Sequence, residues 1–305
     1  MSRVVLASPL PEEGLGALAG RDVCVGTPTN EADAIVCLLT DKIGPDVLAA
    51  GGALKVVATV AVGFDNIDVA AATEAGIVVT NTPGLLDEAT ADVAFALILA
   101  AGRRTTDAER SLRSGEWTGW QLDGYLGVDV HGATLALVGY GRIGKAVARR
   151  AAGFGMTVKH HTRTDTGEPG WTPDLDALLA EADFVSLHTP LTPDTRHLID
   201  ARRIGLLKPT AVLVNTARGP VIDADALADA LERGAIYAAG LDVYDAEPSV
   251  PQRLLDAPHL TLLPHIGSAT GPTRLAMVRL ACENVAAVLR GEPPLTPVNP
   301  QVLAP

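Results

Sequence analysis

Residues 134–150 read TLALVGYGRIGKAVARR. A short strand-forming run passes through three glycines straight into a helix-forming stretch. Such a strand cannot fold back on itself as a hairpin, so it opens a βα unit whose next strand lies parallel to the first. Gly139, Gly141 and Gly144 stand in a G-x-G-x-x-G spacing. In this context the first glycine allows the tight turn, the second lets backbone approach a pyrophosphate, and the third lets helix pack on strand. Amides at the helix start, among Arg142, Ile143 and Gly144, then face the anion. A glycine-rich turn without ligand would look similar, but five further strand candidates follow at regular intervals. These residues are therefore expected to hold a dinucleotide.

The second series of strand candidates comprises TLALVG, MTVKHH, DFVSLH, AVLVN, YAAGLD and LTLLP, most of them separated by helical stretches. An earlier series, RVVLA, RDVCVG, AIVCLL, KVVATV and GIVVT, is bounded by Gly, Pro, Asp or Asn. Between the two lies DEATADVAFALILAAGRRTTDAERSLRSG, which reads as one long connecting helix closing at Gly115. The expectation is an α/β chain of two Rossmann/flavodoxin-like parallel-sheet domains. With 305 residues, about two domains is the size prior.

The formal net charge of −12 disfavours nucleic acid and anionic membrane surfaces. No run approaches the roughly 18 apolar residues of a membrane span, and the first residues lack the long apolar core of a signal peptide. Cys24, Cys37 and Cys282 are scattered, with neither a disulfide framework nor a metal-ligand spacing. A cytoplasmic protein with no metal, no nucleic-acid partner and no membrane partner is expected.

Three charged residues follow strand candidates: Arg218 in LVNTARGPVID, Glu247 in LDVYDAEP and His265 in LLPHIGSAT. Ligands bind at the carboxyl ends of strands in open α/β sheets. A guanidinium grips a carboxylate bidentately, a histidine donates a proton, and a nearby carboxylate favours its protonated form. Singly each could be structural: a half-buried histidine, a turn acid before Pro248, a solvated loop cation. Together, in this order, they describe a catalytic set.

These motifs, with TVAVGFDNIDVAAATEAGIVVTNTPG and ADFVSLHTPLTPDTRHLI, resemble the D-isomer-specific 2-hydroxyacid dehydrogenase family over nearly the whole chain. The resemblance implies a homodimer that reduces a small 2-oxoacid, with His265 as general acid, Glu247 as its partner, and Arg218 on the substrate carboxylate. It also implies a substrate role for the amides of Val62 and Gly63, and cofactor contacts from Thr189, Pro190, Thr195, Thr216, Asp242 and Gly267. The cofactor domain, residues 101–284, would be inserted into a substrate domain of residues 1–100 and 285–305, and the cleft between them would close on substrate. His188 is assigned to structure and cofactor-loop positioning, and His160 and His161 to no required catalytic role.

Within the family, Asp92 and the GEWTGW segment resemble glyoxylate/hydroxypyruvate reductases, whose second tryptophan, here Trp120, reaches the partner subunit's site. Other readings are a D-phosphoglycerate or other D-2-hydroxyacid dehydrogenase, or an NAD(P)-sensing, corepressor-like binding protein of the same fold.

Cofactor preference turns on the end of the MTVKHH strand. An NAD-selective site places an acid about 20 residues beyond the glycines, on the ribose 2′-hydroxyl. Here Thr162, Arg163 and Thr164 stand at that strand end, and Asp165 comes later. Arg163 can grip a 2′-phosphate and the threonines can donate to it, so NADPH is expected to be preferred, with NAD possible. The competing view is that Arg163 is a solvated charge paired with Asp165.

Overall fold

Strand alternates with helix along most of the chain, and the ladders between strands are parallel throughout. The computed structural model describes residues 1–49 and 52–303. Contacts divide the chain into Met1–Leu86 with Ser268–Pro305, and Asp87–Gly267.

The first unit carries β1 (Arg3–Leu6), β2 (Asp22–Val25), β3 (Ala34–Cys37), β4 (Val56–Thr59), α1 (Val69–Glu74) and β5 (Val78–Thr80). Its sheet runs β2-β1-β3-β4-β5. The runs AIVC, VVAT and VVT are buried along their whole length, as strands covered on both faces must be. β2 is an edge strand and is partly exposed. Asp68 caps α1 by accepting the Ala71 N–H at 2.9 Å.

The second unit opens with α2 (Asp87–Gly102) and α3 (Thr105–Ser114). Residues 87–115 thus form two helices, where the sequence reads as one. Val128 N–H donates to the Gly102 carbonyl at 2.8 Å, an acceptor that helix continuation requires for itself. Arg104 turns into the left-handed region at φ 53° and starts the second helix. There follow β6 (Thr134–Val138), α4 (Arg142–Ala152), β7 (Thr157–His161), α5 (Leu175–Glu181), β8 (Phe184–Leu187), α6 (Ala201–Ile204), β9 (Val212–Asn215), α7 (Ala224–Glu232), β10 (Ala238–Leu241), α8 (Gln252–Asp256) and β11 (Leu260–Leu262). All six candidates of the second series are strands, in the order β11-β10-β9-β8-β6-β7. The final helix, α9 (Gly271–Leu289), belongs to the first unit.

The expected boundaries at residues 100 and 284 therefore do not match the division of contacts, which falls after Leu86 and after Gly267. α2 packs on β9, β10 and α4, burying Ala94, Phe95, Leu97 and Ile98. α9 packs on β3, β4 and β5, burying Val278, Cys282 and Val285. A helix belongs to the core that covers its apolar stripe. Periodicity reveals the stripe but not its cover.

In the larger sheet Val138, Leu187, Asn215, Leu241 and Leu262 pair successively in register. Five loops therefore leave the carboxyl edge side by side. Strand order reverses at the β6–β8 pair, the position where open α/β sheets bind ligands.

Candidate active site

The glycine turn meets the geometric demands of a dinucleotide cradle. Gly139 sits at φ 96°, and a Cβ there would lie 2.6 Å from the His188 carbonyl oxygen. A Cβ on Gly144 would lie 2.4 Å from the Gly139 oxygen, so α4 can start only this close to the strand without a side chain. At Gly141, by contrast, a Cβ would meet nothing within 4 Å. Backbone is therefore exposed where a pyrophosphate would rest, beside the first amides of α4, which have no intrahelical acceptor. Arg142 is exposed, with its Nε 3.3 Å from Asp87 Oδ2, and Ile143 is half-buried.

Next to this turn, burial pushes His188 down to about 4, so its ring is neutral at pH 7. Its Nε2 pairs with Ser186 Oγ at 2.9 Å. Two hydroxyls assigned to the cofactor, on Thr189 and Thr216, are buried with no hydrogen-bond partner among the described residues. A buried polar atom normally has one, so both fit contact with a ligand. Thr195 differs: its hydroxyl accepts the Thr192 N–H and donates to the Pro190 carbonyl, each at 2.7 Å, and so shapes the loop itself.

Beyond β7, the Thr162 hydroxyl donates to the Thr164 carbonyl at 2.7 Å. Asp165 accepts the Gly167 N–H at 2.8 Å. Arg163 is exposed and forms no ion pair with Asp165 among the described residues. The acid is engaged by its own turn.

Arg218, Glu247 and His265 emerge from the adjacent loops after β9, β10 and β11. His265 Nδ1 lies 2.7 Å from Glu247 Oε2, and Glu247 Oε1 accepts the Tyr244 N–H at 2.9 Å. Burial works against the Glu247 charge. The hydrogen bonds from His265 and Tyr244, with the charges of His265 and Arg218, outweigh it and hold the carboxyl below its usual range. With Nδ1–H donated to Glu247, Nε2 is the ring nitrogen left to exchange a proton.

The backbone at His265 is in the left-handed region, φ 54°. A non-glycine residue there costs on the order of 1–3 kcal/mol and persists only where surroundings impose it. Asp242 imposes it: its two oxygens accept the N–H groups of Ile266 at 2.7 Å and Gly267 at 2.8 Å. Asp242 is 1% exposed, and burial raises its carboxyl despite those amides and His265.

On the neighbouring loop, Asn215 donates to the Arg218 carbonyl at 2.8 Å and accepts the Ala217 N–H at 2.9 Å. Gly219 touches the next loop so closely that a Cβ would lie 2.0 Å from Tyr244 carbonyl carbon. The Tyr244 hydroxyl in turn donates to the Leu263 carbonyl at 2.8 Å. Tyr244 thus joins all three loops through its N–H, its carbonyl region and its hydroxyl. Sequence reasoning missed this role, and the only signal was its place three residues before a glutamate.

In the first unit, Val62 and Gly63 follow β4, and Asn81 Nδ2 donates to the Val62 carbonyl at 2.7 Å. Trp120 is 80% exposed, in a loop that also exposes Trp117, Leu122 and Leu126. Among the described residues no helix is long and apolar enough to cross a membrane.

A parallel α/β sheet with a glycine cradle at its switch point, and a histidine–carboxylate pair beside an arginine, defines a nicotinamide-dependent oxidoreductase. Residues 95–267 match the model of the D-isomer specific 2-hydroxyacid dehydrogenase NAD binding domain. The chain is 47% identical over 282 residues to the glyoxylate reductase of Thermococcus litoralis, covering 90% of this chain and 85% of that one. It is 50% identical over 281 residues to the glyoxylate reductase of Korarchaeum cryptofilum, at 90% and 84% coverage. The crystal structure of an NADPH-dependent glyoxylate/hydroxypyruvate reductase from Sinorhizobium meliloti, in complex with NADP and malonate, superposes with a TM-score of 0.88. That protein is 34% identical, and the match covers 97% of this chain and 96% of that one. The chain belongs to the D-isomer-specific 2-hydroxyacid dehydrogenase family and is an NAD(P)-dependent dehydrogenase.

Proposed function

We propose that the chain reduces a small 2-oxoacid of the glyoxylate/hydroxypyruvate class to its D-2-hydroxyacid, using NADPH in preference to NADH. The observation that carries this reading is the 2.7 Å pairing of His265 with Glu247, in the two loops on one side of the Arg218 loop. The names of the relatives above point to the same substrates.

The bound reduced nicotinamide supplies a hydride to C2 of the oxoacid. His265 gives the Nε2 proton to the carbonyl oxygen as negative charge develops there, and Glu247 stabilises the proton-bearing ring before transfer. Arg218 holds the substrate carboxylate in two hydrogen bonds and polarises the carbonyl. On the family resemblance, the amides of Val62 and Gly63 in the first unit are assigned to substrate binding. The segment Asp87–Gly267 holds the dinucleotide, with Gly139, Gly141, Gly144 and the α4 amides on the pyrophosphate. Thr189, Thr195, Thr216 and Asp242 line the remainder of the cofactor's path. Arg163, flanked by Thr162 and Thr164, takes the 2′-phosphate. A second copy covers the exposed loop of Trp117, Trp120, Leu122 and Leu126, giving a cytoplasmic homodimer in which Trp120 serves the partner's site.

The test follows loss of reduced-nicotinamide absorbance with glyoxylate, hydroxypyruvate, pyruvate and bulkier oxoacids, for wild type and His265→Ala. Glyoxylate or hydroxypyruvate should have the highest kcat/KM, and His265→Ala should lower kcat by roughly 10²–10⁴ while still binding cofactor. Turnover with none of the acids would return the chain to the NAD(P)-sensing class. A near-wild-type kcat in the variant would remove His265 from the chemistry.

A further inference from the structure

His160 has no part in this chemistry, yet it is fully enclosed, at 0% exposure. Its ring stacks on Tyr140, with centroids 3.7 Å apart and planes 15° apart. Tyr140 stands between Gly139 and Gly141, in the turn assigned to the pyrophosphate. On its other side, His160 Nε2 lies 2.9 Å from Thr166 Oγ1. Thr166 belongs to the loop that carries Thr162, Arg163 and Thr164. His160 Nδ1 is buried with no partner among the described residues.

The unpartnered nitrogen settles the tautomer by cost. A buried N–H without an acceptor is more expensive than a buried lone pair without a donor, so the proton sits on Nε2 and is donated to Thr166. Thr166 Oγ1 also accepts the Glu168 N–H at 3.3 Å, which fills both lone pairs. Main-chain bonds fasten the same loop to the same residue. His160 N–H donates to the Gly170 carbonyl, and Thr172 N–H donates to the His160 carbonyl, both at 2.8 Å. Lys145 of α4 pairs with Glu168 from the loop. One ring therefore touches the turn proposed for the pyrophosphate, by stacking, and the loop proposed for the adenosine side, by a hydrogen bond.

We propose that His160 is a positioning residue for the adenosine end of the cofactor. By tying the Thr166 loop to Tyr140, it holds Arg163 at a set place relative to the glycine turn. A histidine that merely filled the core would affect stability and leave cofactor affinity alone. This inference rests on the NADPH reading above, and the experiment separates the two.

NADPH and NADH dissociation constants are measured by cofactor fluorescence, alongside kcat and KM, for Thr166→Val, Thr166→Ser, His160→Phe and the Thr166→Val/His160→Phe double variant. His160→Phe keeps a stacking ring and loses only the hydrogen bond. Thr166→Val breaks the same bond from the partly exposed loop, and so reports even if the core variant does not fold. Each should weaken NADPH binding about five- to tenfold, the value of one hydrogen bond. kcat at saturating NADPH should stay within about twofold of wild type, since the loss is in ground-state binding. Thr166→Ser should behave as wild type, and the double variant no worse than Thr166→Val alone, which already loses both the His160 and the Glu168 bonds. Unchanged NADPH binding in a folded Thr166→Val, or additive losses in the double variant, would overturn the proposal. A wild type that binds NADH as tightly as NADPH sinks the phosphate reading alone. The tie is then judged on the shared adenosine end, with equal loss expected for both cofactors.

Discussion

Replacing Gly219 with alanine tests whether the Arg218 and Glu247 loops act as one rigid body. Gly219 is outside the left-handed region, so alanine carries no torsional penalty there. The whole effect comes from contact. The new Cβ would lie 2.0 Å from the Tyr244 carbonyl carbon, 2.3 Å from its oxygen and 2.4 Å from Asp245 nitrogen. Ordinary carbon contacts are about 3.5–4.0 Å, so the loops must separate by roughly 1.5 Å or the chain must rotate. Backbone on both sides gives little slack: Asn215 pins the Arg218 carbonyl, and Tyr244 is pinned through its hydroxyl. Overpacking of this kind costs about 1–3 kcal/mol of stability. A displacement of about 1 Å in positioned groups costs on the order of 10²-fold in rate. Gly219→Ala should therefore lower kcat/KM for the best oxoacid about a hundredfold and lower the melting temperature, with NADPH binding nearly intact. Steady-state kinetics, thermal denaturation and cofactor fluorescence read the three quantities. A folded variant with kcat/KM within about threefold of wild type would refute the coupling of the two loops through Gly219.

The glycines of the cofactor turn should separate by role. Gly141→Ala should fold normally but raise NADPH KM, whereas Gly139→Ala should destabilise the protein, because its Cβ meets backbone at 2.6 Å and its φ is 96°; equal melting temperatures for the two variants would contradict this. His188 supplies a pH dependence. Its folded-state value, about 4, is below the unfolded imidazole, so protonation favours the unfolded chain. Its contribution is fully present above about pH 6.5 and is lost as pH falls toward about 4; urea denaturation across that window should show stability declining, and His188→Gln should flatten the decline. Arg163→Ala should lower kcat/KM for NADPH by about tenfold or more and spare NADH, since a charged hydrogen bond is worth about 1.5–3 kcal/mol; equal losses would place Arg163 outside cofactor discrimination.

Much of the fold was written in local pattern. Fully buried parallel strands need continuous apolar runs, and these stood between glycine and proline punctuation, so every strand of the second series could be read directly. The glycine turn was equally legible, because Gly139 and Gly144 stand where a Cβ would strike backbone and Gly141 leaves the approach to the helix start open. Arg218, Glu247 and His265 could be named because each ends a strand motif. Three things were not legible. The unit boundaries depended on which core covers α2 and α9. The break at Arg104 depended on Val128 taking a helix carbonyl from beyond the helices. The joining of the loops that carry Arg218, Glu247 and His265 depended on Tyr244, Asp242 and Gly219, which reach partners in other loops. The sequence by itself determined which segments become strands, which turn carries the spaced glycines and which titratable side chains follow the strands, because those follow from neighbours along the chain. Only the tertiary structure decided the partner of each group, since packing brings together residues as far apart as Asp242 and Gly267 and no local pattern records that meeting.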